Sequence, residues 1–267
     1  MDVYEFTPGA APLLVSMPHV GTHVPPAIAA RMTNLALTLP DTDWNIDRLY
    51  DFLDEIGAPV IQATHSRYVI DLNRAPDGKP LYPGVSNTEL CPTTQFDGGP
   101  IYRTGQAPGE AEVAERLQAY WRPYHERLAA ELQAIKARHG YALLFDAHSI
   151  RSVVPRFFAG RLPDLNLGTG DGASAAPGLA ARLIEAAGEA GGYSSVLNGR
   201  FKGGYITRRY GRPAERVHAV QLELAEATYM DEDPPYGFRD ELAARLRPSL
   251  RALLIAMLEW GREQDGV

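Results

Sequence analysis

Three stretches of the chain end in residues that can do chemistry. The apolar run Leu13-Leu14-Val15-Ser16-Met17 leads into Pro18-His19-Val20-Gly21-Thr22-His23, and Tyr141-Ala142-Leu143-Leu144-Phe145 leads into Asp146-Ala147-His148. The run 217–224 carries one acid, Glu223, among mostly apolar neighbours. Neutral imidazole nitrogens and carboxylate oxygens are the donors of a catalytic zinc site, which takes three protein ligands and keeps one position for water. Each residue alone has a plainer reading. A histidine after a strand is usually a hydrogen-bonded loop residue, and His65, His125, His139 and His218 are read that way. Glu223 could pair with an arginine. Asp43 and Asp47 stand where a helix would begin, a place the helix dipole favours for acids, and with Asp51 and Asp54 they could form one solvated face. Against these readings stands the joint occurrence of such residues at three separate strand ends.

To meet, those ends must belong to one sheet, because in open α/β sheets ligands gather at the carboxyl ends of the strands. The pattern supports it. Strands are expected at 13–17, 59–63, 68–72, 141–145 and 217–224. Apolar residues at Ile46, Leu49, Tyr50, Leu53 and Ile56 recur at helical spacing and predict a helix over 44–56, capped by Gly57. Further helices are expected over 108–138, kinked or split at Pro123, over 179–190 and over 239–262. Residues 73–106 have no periodicity, and a stretch of that length inside a compact domain usually forms an active-site wall or lid. Strand and helix alternation predicts one α/β domain spanning 1–267, three layers deep (α/β/α) with a mixed central sheet.

The 267 residues include 26 basic and 33 acidic side chains, a formal net charge of −7, which disfavours nucleic acid as a partner. The single cysteine, Cys91, forms no internal disulfide and excludes a Cys-rich zinc module. The N-terminal segment is acidic, without the basic and apolar parts of a signal peptide. The apolar stretch from Ala252 to Leu258 is far shorter than the ~20 residues of a membrane span. The expectation is a cytoplasmic protein acting on a small molecule, with no membrane partner and an open oligomeric state. A cysteine hydrolase using Cys91 lacks a local signature, and no G-x-S-x-G elbow is present. A binding protein would need the pocket but not Glu223.

The segments SMPHVGTHVP (16–25), DTDWNIDRLYD (41–51), SRYVIDLNR (66–74), FDAHS (145–149) and QLELAEATYM (221–230) resemble, in order, the N-formylglutamate amidohydrolase (N-formylglutamate deformylase) family. That family is more remotely similar to the zinc carboxypeptidases and to the aspartoacylase and succinylglutamate desuccinylase group, which share a mixed sheet flanked by helices. The resemblance implies metal-dependent hydrolysis of N-formyl-L-glutamate to L-glutamate and formate, late in histidine breakdown. The cofactor it implies is Zn²⁺ or another divalent first-row ion.

Carried over by residue, it implies His19 and His148 as metal ligands, Glu223 as general base, and Asn73 with Arg74 as a clamp on a substrate carboxylate. The related enzymes take an acidic ligand three residues after the first histidine, where this chain has Thr22. Asp47, facing inward from the helix, is expected to replace it, with Asp43 or His23 in reserve. Asp146 is a candidate to orient a ligand imidazole. Arg67 is expected to stabilise the oxyanion, with Arg103 second. Asn198 to Arg209 is a basic, Gly-rich loop. It is either a solvated surface loop or the source of Lys202 or Arg209 for the substrate's second carboxylate.

Overall fold

Residues 1–81, 84, 86–189 and 192–265 are described by the computed structural model. The apolar runs become strands: β1 (Tyr4–Thr7), β2 (Leu13–Met17), β3 (Val60–Ala63), β4 (Ala142–Ile150), β5 (Leu165–Gly168), β6 (Ser195–Leu197) and β7 (Val217–Ala225). They form one sheet in the order β1-β3-β2-β4-β7-β5-β6. β3, β2, β4 and β7 run parallel, while β1 pairs antiparallel with β3, and β5 antiparallel with β7.

Strand periodicity sends alternate side chains to opposite faces. Leu13, Val15, Leu143, Phe145, Val220 and Leu222 pack on one face against α2 (Ile46–Leu49), α3 (Leu53–Ile56), α6 (Pro177–Glu189) and α8 (Asp240–Asp265). Leu14, Leu144 and Ala219 face α4 (Glu110–Arg116), α5 (Arg122–His139) and α7 (Tyr205–Tyr210) on the other. α1 (Pro26–Ala29) belongs to a smaller cluster with Tyr68, Val69 and Ile101. This is the expected three-layer α/β/α arrangement around a mixed sheet. Among the described residues no helix is long and apolar enough to cross a membrane.

Three expectations change. The helix over 44–56 is two short helices, α2 and α3, separated by a turn and stopped by Gly57 at φ +70°. Residues 68–72 form no strand; their apolar side chains are buried in packed turns, because β3 is already paired on both edges by β1 and β2. The helix over 108–138 divides at a π turn, Leu117–Trp121, and restarts with Pro123 in the first turn of α5, where a missing N–H costs nothing. The π turn brings the Trp121 indole N–H to the Arg74 carbonyl at 3.1 Å. The expected helix over 179–190 is α6, with residue 190 outside the described residues.

Trp121 also stacks on His125, ring centroids 3.6 Å apart. His125 Nε2 donates to the Leu72 carbonyl (2.8 Å), and Nδ1 accepts from the Tyr210 hydroxyl (2.9 Å). Burial pushes its pKa down to about 4, so it is neutral when folded and titrates near 6.5 when unfolded. The unfolded chain therefore binds more protons between those values. The contribution to stability is complete above pH 6.5 and is lost as pH falls toward 4. Urea unfolding at pH 7 and 4.5 should show wild type losing about 2 kcal/mol more than His125→Gln. Equal losses would show that this imidazole carries none of the acid sensitivity.

Candidate active site

The period of two that packs the sheet also builds the site. On β4, Phe145 and Ala147 point to one layer, so Asp146 and His148 point to the other, as do Gln221 and Glu223 on β7. The parallel register pairs Asp146 with Gln221 and His148 with Glu223. β2 contributes Ser16 beside Asp146, and His19 two residues past its end. β4 runs on to Ile150, past the expected 141–145, so Asp146 and His148 belong to the ladder beside Gln221 and Glu223.

His19 and His148 lie with ring centroids 4.8 Å apart, and Asp43 stands between them. One donor atom from each of the three residues lies within 4.8 Å of the others. His148 Nε2 lies 3.1 Å from Asp146 Oδ2, and His19 Nε2 lies 2.7 Å from Asp71 Oδ1, so each ring donates outward through Nε2. That leaves both Nδ1 atoms turned inward. His148 Nδ1 is 3.0 Å from Asp43 Oδ2, and His19 Nδ1, 3.8 Å from the same oxygen, has no hydrogen-bond partner. One donor atom from each of these three buried groups faces a common point, an arrangement that can hold a cation. Two imidazole nitrogens and a carboxylate oxygen, each imidazole oriented by an outer carboxylate, suit a divalent first-row ion.

Burial lowers the pKa of His148, but Asp146 and Asp43 outweigh it and hold it well above its ordinary value, the mark of a site that demands positive charge. His19 is lowered by burial and by Arg67, despite Asp71 and Asp43. Burial acts to raise Asp71, but Arg74, His19 and Arg67 keep it ionised, well below the usual carboxylate range. Arg67 donates to Asp71 Oδ2 at 2.7 Å and sits 3.7 Å from Asp43 Oδ1. Glu223 accepts from the Gln221 carboxamide at 3.0 Å, and burial above all raises its carboxyl to about 7, where it can take and release a proton near neutrality.

Asn73 ties the pieces together. Its Oδ1 accepts from the Ile206 N–H (2.8 Å), while Nδ2 lies 2.9 Å from His148 Nε2 and 3.4 Å from Asp146 Oδ2. A Cβ on Gly204 would collide with that carboxamide, so only glycine fits there.

His19, Arg67, Asn73, Arg74, His148 and Glu223 line one cleft. The aperiodic stretch 73–106 supplies Thr88 and Phe96 to its wall, as expected; residues 82, 83 and 85 lie outside the described residues. Arg74 is anchored by its Nε and NH2 groups to Thr88 and by NH1 to the Asn73 carbonyl.

Five assignments must be corrected. Asp47 is exposed: with Ile46, Leu49 and Tyr50 facing the core, helical spacing turns residue 47 outward. Asp43, 1% exposed and held by its N–H to the His19 carbonyl (3.1 Å), stands at the imidazoles instead. His23 is not there either; with Asp47 it borders a separate surface depression. Arg103 is exposed beyond the buried pair Ile101 and Tyr102, outside the cleft. Lys202 pairs with Asp171 at 3.0 Å rather than lining the cleft. Arg209 is exposed, because Ile206 and Thr207 take the inward face of α7.

Asp71, Gln221 and Arg200 were not singled out from the sequence. Asp71 carried a usable signal, an acid inside the apolar run 68–72, the same sign that drew attention to Glu223. Cys91 is buried in the second hydrophobic layer with its thiol pushed up to about 11, chiefly by burial, which removes it as a nucleophile.

The chain matches the N-formylglutamate amidohydrolase family over residues 11–230. It is 56% identical over 263 residues to an N-formylglutamate deformylase of Pseudomonas aeruginosa, and 52% identical over 262 residues to one of Pseudomonas putida, covering 98% of each chain in both comparisons. The crystal structure of N-formylglutamate amidohydrolase from Ralstonia eutropha JMP134 superposes with a TM-score of 0.82 at 26% identity, over 99% of both chains. A gene product from Agrobacterium tumefaciens shares the fold, with a TM-score of 0.69 at 16% identity over 100% of this chain and 97% of that one. The chain belongs to the N-formylglutamate amidohydrolase family.

Proposed function

We propose that this protein hydrolyses the N-formyl amide of N-formyl-L-glutamate to L-glutamate and formate, with zinc or another divalent first-row ion held by His19, Asp43 and His148. The observation that carries the reading is that both imidazoles of this donor cluster, a buried proton-accepting carboxyl and Arg74 open onto one cleft. The end-to-end likeness to deformylases supports the choice of substrate. The setting that accords with such a substrate is the cytoplasm, late in histidine breakdown.

Bound at the cluster, a divalent ion supplies Lewis acidity, which lets water ionise near neutral pH and offsets negative charge on a carbonyl oxygen. Glu223 accepts the proton of the attacking water and passes it to the amide nitrogen, which leaves poorly unless protonated. Arg67, fixed by Asp71, adds positive charge beside the developing oxyanion. Asp71 and Asp146 hold the two imidazoles with Nδ1 inward. The Asn73 carboxamide is committed to Ile206 and the His148–Asp146 pair, so its part is to fix that imidazole, and Arg74 takes the substrate α-carboxylate.

The test is formate release by purified protein supplied with Zn²⁺, Mn²⁺, Co²⁺ or Fe²⁺, with N-acetylaspartate and N-succinylglutamate as competing substrates. No release with any ion at neutral pH sinks the proposal, and preference for a competitor would reassign the substrate. Arg74→Lys should raise KM about 10–100-fold with the metal retained, since a lysine cannot make the two parallel bonds an arginine gives a carboxylate. An unaltered KM would remove Arg74 from substrate binding.

A further inference from the structure

The proposed substrate carries two carboxylates, and Arg74 accounts for one. We infer that Arg200 binds the second, the side-chain carboxylate, and sets the preference for glutamate over glutamine; the inference rests on the N-formylglutamate reading above.

Among the described residues, the arginines that line the cleft are Arg67, Arg74 and Arg200. Arg67 is locked against Asp71 and faces Asp43, so its charge belongs to the reacting end. Arg200 is placed differently. Its Nε donates to the Phe157 carbonyl at 2.6 Å, and its guanidinium carbon lies 5.3 Å from the Phe201 ring centroid and 5.8 Å from that of Phe157.

Those rings belong to a packed aromatic group: Phe157 meets Phe96 edge to face at 5.1 Å, and Phe201 meets Phe158 at 6.0 Å. A guanidinium between aromatic faces is oriented before a ligand arrives, and its planar fork matches a carboxylate. The same wall presents Ile150, Phe157 and Phe201 to the cleft. An apolar lining that ends in an arginine suits a side chain of two methylenes ending in a carboxylate.

Arg156 holds the wall together through Ser86, Thr94 and the Gln95 carbonyl, and Lys202 pairs with Asp171.

The test compares wild type, Arg200→Gln and Arg200→Lys on N-formyl-L-glutamate and its neutral isostere N-formyl-L-glutamine, with metal content and melting temperature measured on each protein. Wild type should prefer the acid by about 100-fold or more. Arg200→Gln should lose about 100-fold in kcat/KM on the acid, mainly through KM, and its preference for acid over amide should collapse to within about tenfold of unity. Arg200→Lys, which keeps the charge without the fork, should lose about tenfold of that preference, and it decides the matter if the Gln variant does not fold. An equal loss on both substrates, or a preference unchanged in either folded variant, overturns the inference.

If wild type hydrolyses neither compound, the N-formylglutamate reading fails, and calorimetry with L-glutamate and L-glutamine decides about Arg200 separately. Tighter glutamate binding that Arg200→Gln abolishes supports the role. Glutamate bound no better than glutamine, or bound equally by both proteins, overturns it.

Discussion

Replacing His148 with alanine should abolish binding of the proposed divalent ion and formate release together. Its Nδ1 is one of three acceptors turned on one point, beside Asp43 Oδ2 at 3.0 Å. Among the described residues the group holds no further histidine, cysteine or acid to take its place. Loss of an outer hydrogen-bond partner costs about 10–100-fold in metal affinity, so loss of the ligand itself should cost more. Asp146→Asn should fall in that smaller range.

Asp43→Ala should behave like His148→Ala, whereas Asp47→Ala should keep both ion and activity. The measurements are metal stoichiometry by atomic emission after gel filtration, and formate release. A His148→Ala protein that emerges with a full complement of metal would remove the donor cluster from the mechanism, and a metal-free Asp47→Ala protein would restore the helix acid to it.

The second large effect is on chemistry with the metal in place. Glu223→Gln keeps the size and one carbonyl oxygen of the side chain but removes the group that accepts a proton. A positioned acid–base group contributes about 10²–10⁴ in rate, or roughly 3–5 kcal/mol of barrier. The loss should appear in kcat, with KM and metal content near wild type, since the carboxyl sits 7% exposed and bonds to Gln221 rather than to a cluster residue. A Glu223→Gln enzyme within tenfold of wild type would mean that the proton is carried elsewhere.

The same two groups show what one sequence can disclose. Asp146, His148, Gln221 and Glu223 fall on alternate positions of buried strands, and a charged residue recurring at period two inside an apolar run has only one face to share. That much is local arithmetic, and it puts His148 and Glu223 on one face of neighbouring strands, with His19 just past the end of a third. The helical spacing of Ile46, Leu49 and Tyr50 was equally legible and already turned Asp47 away from the core; expecting that acid inward set a ligand requirement above the periodicity.

What period and propensity determined from the sequence alone was the layer each segment occupies and the face each residue takes. Only the folded chain decided which acid stands between the imidazoles, and which arginine meets the cleft. Asp43 reaches His148 across 105 positions of sequence, and Arg200 reaches Phe157 across 43. Such pairings depend on how loops without a period of their own close over the sheet. No repeat along the chain encodes that closure; it follows from packing among elements distant in sequence.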